Sequence, residues 1–250
     1  MRRIRWAVVA VILAAGAVAA QTPPAAVLVQ LQSAVNPEED AFTGSWRTTT
    51  FSVVEKPNGR AHHEATMVMD CSRDAQGRVH RQVVRFVKDG KDQTGRVRER
   101  LEEQDAGDRG GGKKKHQKKG EGQAEADFVP PDPEHRDLYL FEALPPRDGA
   151  ARCTFRPAPG HEKDRGLMTG ELAWDPSTLD PLWIEGDLLR PPGPLKKMHL
   201  RIEFRRSGDL LYTFRIVTAG LARVLLLKRR FHAEVRFENV EPAPAASVPD

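Results

Sequence analysis

The chain has 250 residues, with 39 Lys and Arg against 35 Asp and Glu, and only two cysteines. This length allows a single domain to bury a sizeable core. The charge is close to balanced, which argues against a protein whose whole surface binds nucleic acid.

The N-terminus, MRRIRWAVVAVILAAGAVAAQ, predicts an export signal. Three arginines precede an apolar run of about 15 residues that ends in small residues, which is the pattern of a cleavable signal peptide. The run is shorter than the roughly 20 residues that a membrane-spanning helix needs, although an uncleaved anchor is the alternative. We therefore expect residues 1–20 to be a signal peptide and the mature protein to be periplasmic. Removal of the signal peptide leaves 36 basic against 35 acidic residues.

The next elements are one helix and three strands. Apolar residues recur at helical spacing over 25–35, and a proline follows at position 37. Strands are predicted at about 45–55, 61–71 and 78–88, because β-branched runs there are separated by the turn-forming KPNG and RDAQG. The third strand has apolar residues on both sides, which predicts a central position in the sheet.

A charged, glycine-rich insertion is predicted at about 89–136. It contains GGGKKKHQKKGEG and has few large apolar residues, so it cannot bury enough surface to repay its ordering entropy. We expect much of it to be disordered, with a short helix at about 96–104. The run KKKHQKK could touch an anionic membrane, and a solvated loop is the alternative.

Strands resume after the insertion and alternate apolar with polar residues. In KKMHLRIEFRR every second residue from Met198 to Phe204 is apolar, and FHAEVRFE near the C-terminus alternates in the same way. The domain is expected to span 21–241, and the Pro/Ala-rich tail 242–250 is expected to be loose.

These elements predict a mainly β, α+β fold: a curved antiparallel half-barrel sheet of about eight or nine strands with one or two helices. An antiparallel sheet with one solvent-exposed face must bury its other, apolar face against another part of the protein or against a ligand. One short helix is too little cover, so the sheet either curls onto its own side chains or shelters something apolar.

Large apolar residues on the strands are therefore candidates to line an apolar-ligand site, with ordinary core packing as the alternative. The candidates are Met67, Met69, Met198, Leu200, Ile202, Phe204, Phe214, Ile216 and Phe237.

The second half of the chain is locally basic. Between Leu195 and Arg236 there are eleven Lys and Arg against three Asp and Glu. In an exported protein such a face points to an anionic membrane or an acidic partner rather than to nucleic acid. Arg201, Arg205 and Arg206 are the candidate basic face, and a solvated sheet face is the alternative.

The sequence predicts no catalytic residue, metal or cofactor. It lacks G-x-S-x-G, H-E-x-x-H, P-loop and dinucleotide-binding patterns. The cluster His62, His63 and Glu64 has no identifiable third and fourth metal ligand. The two cysteines, Cys71 and Cys153, are expected to form a disulfide in an oxidising compartment, with two buried thiols as the alternative.

The stretch TGELAWDPSTLDPLWIEGDLL, followed by LKKMHLRIEFRR, LLYTFRIVTAG and VLLLKRRFHAEVRFENVE, resembles exported bacterial proteins akin to outer-membrane lipoprotein-sorting carriers. In that family a strand leads through a D-P-x-T-x-x-P turn into the next, and a meander ends in an aromatic-acidic strand. The resemblance covers about 45–240 outside the insertion. It implies a half-barrel plugged by helices, whose cavity shields lipid or lipoprotein acyl chains in the periplasm. The implied function is therefore non-catalytic carriage of such a chain.

Overall fold

A computed structural model describes residues 23–38, 42–56, 58–109, 129–191, 193–224 and 227–243. Within these ranges eleven antiparallel strands form one sheet. The helices are α1 (Ala25–Ser33) and α2 (Thr94–Arg109), and a 3-10 turn spans Arg136–Leu138. The strands are β1 (Gly44–Glu55), β2 (Ala61–Arg73), β3 (Val79–Lys88), β4 (Lys91–Asp92), β5 (Tyr139–Arg147), β6 (Ala150–Pro157), β7 (Met168–Trp174), β8 (Pro181–Leu188), β9 (Leu195–Ser207), β10 (Leu210–Val224) and β11 (Leu227–Pro242).

The strand order is β4-β3-β2-β1-β11-β10-β9-β8-β7-β6-β5. Two meanders are joined in the middle of the sheet, where the first strand pairs with the last from Gly44–Pro242 to Glu55–Arg230. The sheet is open, with β4 and β5 as its two edges. The predicted fold class is confirmed, with more strands than the eight or nine expected.

Helix α1 covers one flank of the sheet. Its side chains Val27, Leu28 and Leu31 are buried against apolar residues of β6 to β9, as the helical spacing predicted. The segment after the helix adds to the sheet: the amide of Val35 donates to the carbonyl of Leu211 (3.0 Å), and its carbonyl accepts from the amide of Thr213 (2.8 Å). This strap fixes the helix over the sheet.

Part of the predicted disordered insertion is ordered. Strand β4 and helix α2 fall inside it, and the helix predicted at 96–104 lies within α2. Val97 and Leu101 pack on the core, and Arg98 donates to the carbonyl of Val83 (3.0 Å). The lysine-rich run lies outside the described residues, as do the signal peptide and the end of the C-terminal tail.

The prediction that the third strand is central was wrong. Strand β3 has only the two-residue β4 beyond it. A register shift opposite Val68 and Met69 places both Val83 and Phe86 on the covered face. Such a bulge inserts one residue and reverses the alternation, so the strand appears apolar on both sides although Val84 is 42% exposed.

No helix among the described residues is long and apolar enough to cross a membrane.

Candidate functional site

The inner face of the sheet carries the apolar residues and can be followed row by row through the strand register. One row reads Met67, Thr50, Val235, Ile216, Ile202, Ile184, Leu172 and Cys153, and the next reads Ala65, Ser52, Ala233, Thr218, Leu200, Gly186, Gly170 and Phe155. A third row reads Val54, Phe231, Gly220 and Met198. Each row places side chains of neighbouring strands side by side.

The rows are buried at one flank and partly exposed in the middle of the sheet. We call Cys153, Phe155, Leu172, Trp174 and Ile184 the covered flank; all are at most 2% exposed. We call the partly exposed inner-face residues of β1, β11, β10 and the start of β9 the open centre. Its members are Thr50, Ser52, Val54, Phe231, Ala233, Val235, Ile216, Thr218, Gly220 and Met198.

The ring of Phe231 packs against Gly220 of the neighbouring strand. A Cβ atom on Gly220 would come within 2.7 Å of two carbons of the Phe231 ring, so the ring occupies the space that a side chain at Gly220 would fill. The glycine therefore lets an aromatic ring form part of the floor of the open centre.

The open centre has hydroxyls as its polar side chains and no charged side chain among its members. At about 4.8 Å between strands, it spans roughly 14 Å from β1 to β9. Such a surface offers apolar contact with few fixed polar contacts.

The predicted lining residues divide into two groups. The buried members are Met69, Leu200, Phe204 and Phe237, and the half-buried members are Met67, Met198, Ile202, Phe214 and Ile216. Of these nine, only Met198 and Ile216 belong to the open centre. Phe214 lies at a register shift in β10, and the guanidinium of Arg205 stacks on its ring at 3.4 Å from the centroid.

The predicted basic face consists of arginines that already have partners within the chain. Arg201 pairs with Glu185 (2.5 Å) and Glu203 (2.8 Å) and stacks on the Trp183 ring. Arg206 donates to both carboxylate oxygens of Asp180, at 2.7 and 2.5 Å. These pairings compensate the charges of Arg201 and Arg206, whereas Arg205 is exposed and has no carboxylate within 4.0 Å among the described residues.

Arg201 is part of a longer ion-pair ladder across the outer face of the sheet. The ladder comprises Glu185, Arg201, Glu203, Arg215, Glu234 and Arg236. Hydrogen bonding from Arg215 lowers the pKa of Glu234, whose side chain is 13% exposed. Alternating charges on neighbouring strands therefore neutralise the middle of the outer face.

A clamp links the end of β9 to α1. Besides Asp180, Arg206 donates to Oε1 of Gln30 in α1 (3.1 Å). Hydrogen bonding from Arg206 lowers the pKa of Asp180. This clamp ties the turn between β7 and β8 to the helix that closes the covered flank.

The predicted disulfide is not formed, because both cysteines are free and buried. Cys71 lies on β2 and Cys153 on β6, and six other strands separate them in the sheet. Burial raises the pKa of Cys71, and it raises that of Cys153 to about 12. Both thiols are therefore poor nucleophiles in the folded protein.

No group of three or more His, Cys, Asp and Glu among the described residues could hold a metal ion. His62, His63 and Glu64 lie on the exposed start of β2, where His63 hydrogen-bonds Asp89 at 3.3 Å between Nδ1 and Oδ2.

Phe231, Ala233 and Val235 were missed as site residues, although their alternation along the last strand was visible in the sequence. What the sequence could not give was the register that places Phe231 between Val54 and Gly220.

The described residues define an open antiparallel sheet protein with a partly uncovered apolar centre. No known family model and no curated protein matches the chain. Among solved structures, MucB in complex with MucA(peri) is 12% identical over 88% of this chain and 99% of that chain, with a TM-score of 0.23. The Pseudomonas aeruginosa MucA/MucB complex is 13% identical over the same shares, with a TM-score of 0.21. At these TM-scores the likeness supports no conclusion about this chain.

Proposed function

We propose that the protein is a non-catalytic periplasmic binding protein that holds a lipid or lipoprotein acyl chain against the open centre of its sheet. Its role would be in the transport or sorting of lipids or lipoproteins toward the outer membrane. The observation that carries the proposal is the uneven cover of one apolar sheet face: the covered flank is closed and the open centre is partly exposed.

The chemistry of the open centre favours a flexible apolar ligand. Val54, Val235 and Ile216 offer aliphatic surface, and Phe231 and Met198 add a ring and an adaptable thioether. An acyl chain asks for apolar area rather than for fixed polar contacts. Half of a bilayer's hydrocarbon core is about 15 Å thick, which is close to the width of the open centre.

The absence of charge in the open centre separates this proposal from binding of a sugar or a peptide. Such ligands need convergent hydrogen-bond donors and acceptors, because their own polar groups lose water on binding. The export signal and the similarity of the C-terminal half to lipoprotein-sorting carriers, both read from the sequence, support the periplasmic location and the transport role.

Native mass spectrometry of protein purified gently from its own periplasm, followed by lipid extraction, tests the proposal. We expect an adduct of lipid mass on the wild-type protein. Phe231→Gln should remove the adduct while the protein stays folded, because the ring is only half-buried.

Phe51→Gln is the matched control. Phe51 lies on β1 opposite Glu234, on the outer face, and is half-buried like Phe231. It makes a tilted ring contact with His232 at 6.2 Å. The control should keep its adduct. A wild-type protein without lipid would refute the function, and an adduct that survives Phe231→Gln would refute the site.

A further inference from the structure

The end of the sheet where β9 and β11 begin carries a group of exposed or half-buried cations. We call them the basic collar: Lys196, Lys197, Lys228, Arg229 and Arg230. Among the described residues, no carboxylate lies within 4.0 Å of their charged nitrogens. Arg229 donates to the carbonyl of Lys228 (3.2 Å), which leaves its charge uncompensated.

The collar differs from the ion-pair ladder on the same strands. In the ladder, Arg215 and Arg236 share Glu234, so positive and negative side chains alternate. At the collar, Glu55 is the register partner of Arg230 but makes no ion pair with it within 4.0 Å. Strands β9 and β11 therefore carry a neutralised middle and a positive end.

A groove on the outer face continues the collar. It has a volume of about 560 Å³, and Lys197, Lys228 and Arg230 line it over an apolar floor that includes Ala219 and Leu221. Its carboxylate, Asp187, lies 3.1 Å from Nδ1 of His199, which also lines the groove. The groove thus combines three cations with apolar surface.

The positive end extends to the turn between β1 and β2. The pKa of His62 is lowered by desolvation, then by His63, and further by Arg229 and Lys56. Arg229 and Lys56 therefore act on the same imidazole from β11 and from the β1–β2 turn.

Because the groove pairs its cations with an apolar floor, a partner that fits it carries both negative charge and apolar surface. An anionic bilayer offers both complements, since its headgroups are negative and its interior is apolar. An acidic polymer offers only the charge.

We propose that this end of the sheet docks on an anionic lipid bilayer, with the basic collar against the headgroup phosphates. Docking depends on the charge arrangement and not on the proposed carriage of a lipid. It would place the adjoining row of Phe231, Gly220 and Met198 next to the membrane, since Arg230 and Lys197 directly precede two of those residues.

Co-sedimentation with vesicles of phosphatidylcholine, with and without phosphatidylglycerol, tests the docking. We expect binding only to the anionic vesicles and weaker binding as salt is added. Each basic residue near such a surface strengthens partitioning by about fivefold. The double variant Lys228→Gln/Arg230→Gln should therefore bind about 30-fold more weakly.

The matched control is Arg78→Gln/Arg147→Gln, which removes the same charge from exposed positions at the opposite ends of the strands. It should bind as the wild type does. Equal weakening in both variants would overturn the proposal, because only net charge would matter. Unchanged binding of the collar variant would also overturn it and would assign any docking to another segment, such as the lysine-rich run. Binding to polyglutamate but not to vesicles would indicate an acidic partner instead.

The two proposals can fail separately. Loss of the lipid adduct with intact vesicle binding leaves docking standing. An adduct that persists when vesicle binding is absent leaves carriage standing.

Discussion

The covered flank and the open centre belong to the same face of one sheet, yet only the flank is closed. The row through Phe155, Gly170, Gly186 and Leu200 continues into Thr218 without a break in pairing. Phe155 is 1% exposed, whereas Thr218 is half-buried. Alternation along a strand thus determines which face a residue occupies, and the packing of the nine-residue helix α1 helps to cover that face at the flank.

A pair of facing glycines helps to close the flank. A Cβ on Gly186 would come within 2.6 Å of the terminal methyl of Met168 and 2.9 Å of Cα of Gly170. Because neither position carries a side chain, Met168 can fill this part of the core completely. Gly220 has the opposite effect in the open centre, where it makes room for a ring that remains partly exposed.

The largest expected effect is a difference in stability between two Phe→Ala substitutions. Phe155→Ala should lower the free energy of unfolding by about 3–5 kcal/mol, because it leaves a cavity in a closed core. Phe231→Ala should lower it by about 1–2 kcal/mol, since its ring is already partly in water. Urea unfolding of both variants measures the difference. Equal losses would mean that the open centre is core.

The sequence predicted the elements well because their signals are local. The first helix and the first three strands were placed within about three residues of their ends, since helical spacing, alternation and turn residues all lie within each segment. The position of β3 was wrong because a bulge imitates a strand that is apolar on both faces.

The site was predicted less well because it depends on register and cover. Leu200 and Phe204 have the same alternation as Met198, but only Met198 lies in the open centre. The partners of Arg201 lie on its own and a neighbouring strand, so its neutralisation cannot be read from local charge. Nothing in the sequence around the two cysteines indicates that six strands separate them in the sheet.

Gly220→Ala tests the floor of the open centre directly. The new Cβ would meet the Phe231 ring at 2.7 Å and the Lys197 carbonyl oxygen at 2.3 Å. We expect the free energy of unfolding to fall by about 1–3 kcal/mol, because backbone and ring must both shift. We also expect a weaker lipid adduct.

Gly59→Ala is a poor control, because the φ of Gly59 is +77° and an alanine there would be strained. Gly95→Ala in α2 is the suitable control, because nothing beyond its chain neighbours and its own helix backbone lies within 4 Å of the added Cβ. An unchanged stability of Gly220→Ala would contradict the packing of Phe231 on this glycine.

The clamp on α1 should make the covered flank sensitive to acid. Asp180→Asn should cost about 1–2 kcal/mol, because it weakens a paired, 14% exposed carboxylate and its hold on Arg206. The pKa of Asp180 is lowered on folding by Arg206. Its contribution is therefore complete above the unfolded value of about 3.9 and is lost as the pH falls through the lowered folded value.

Thermal unfolding between neutral pH and about pH 2 checks this dependence. The difference between wild type and Asp180→Asn should shrink as the pH falls below about 4. Asp148→Asn is the control, because that side chain is 89% exposed beside Arg147 and should contribute almost nothing. A difference that stays constant down to the lowest pH would show that Asp180 acts through packing rather than charge.

The smallest effect concerns the order in which the two thiols react. Cys153 belongs to the covered flank and is 0% exposed, whereas Cys71 is 4% exposed in the other core cluster, beside Met69 and Trp46. Neither should react with a thiol reagent in the native protein, because burial raises both pKa values. In mild denaturant Cys71 should react first, since local opening needs less free energy where the sheet face is less fully covered.

Mass spectrometry of the labelled peptides gives the order of reaction. After full unfolding without reductant, both thiols should react. Earlier reaction of Cys153 would show that the covered flank opens before the core cluster around Cys71, and no reaction after unfolding would show that the cysteines are bridged.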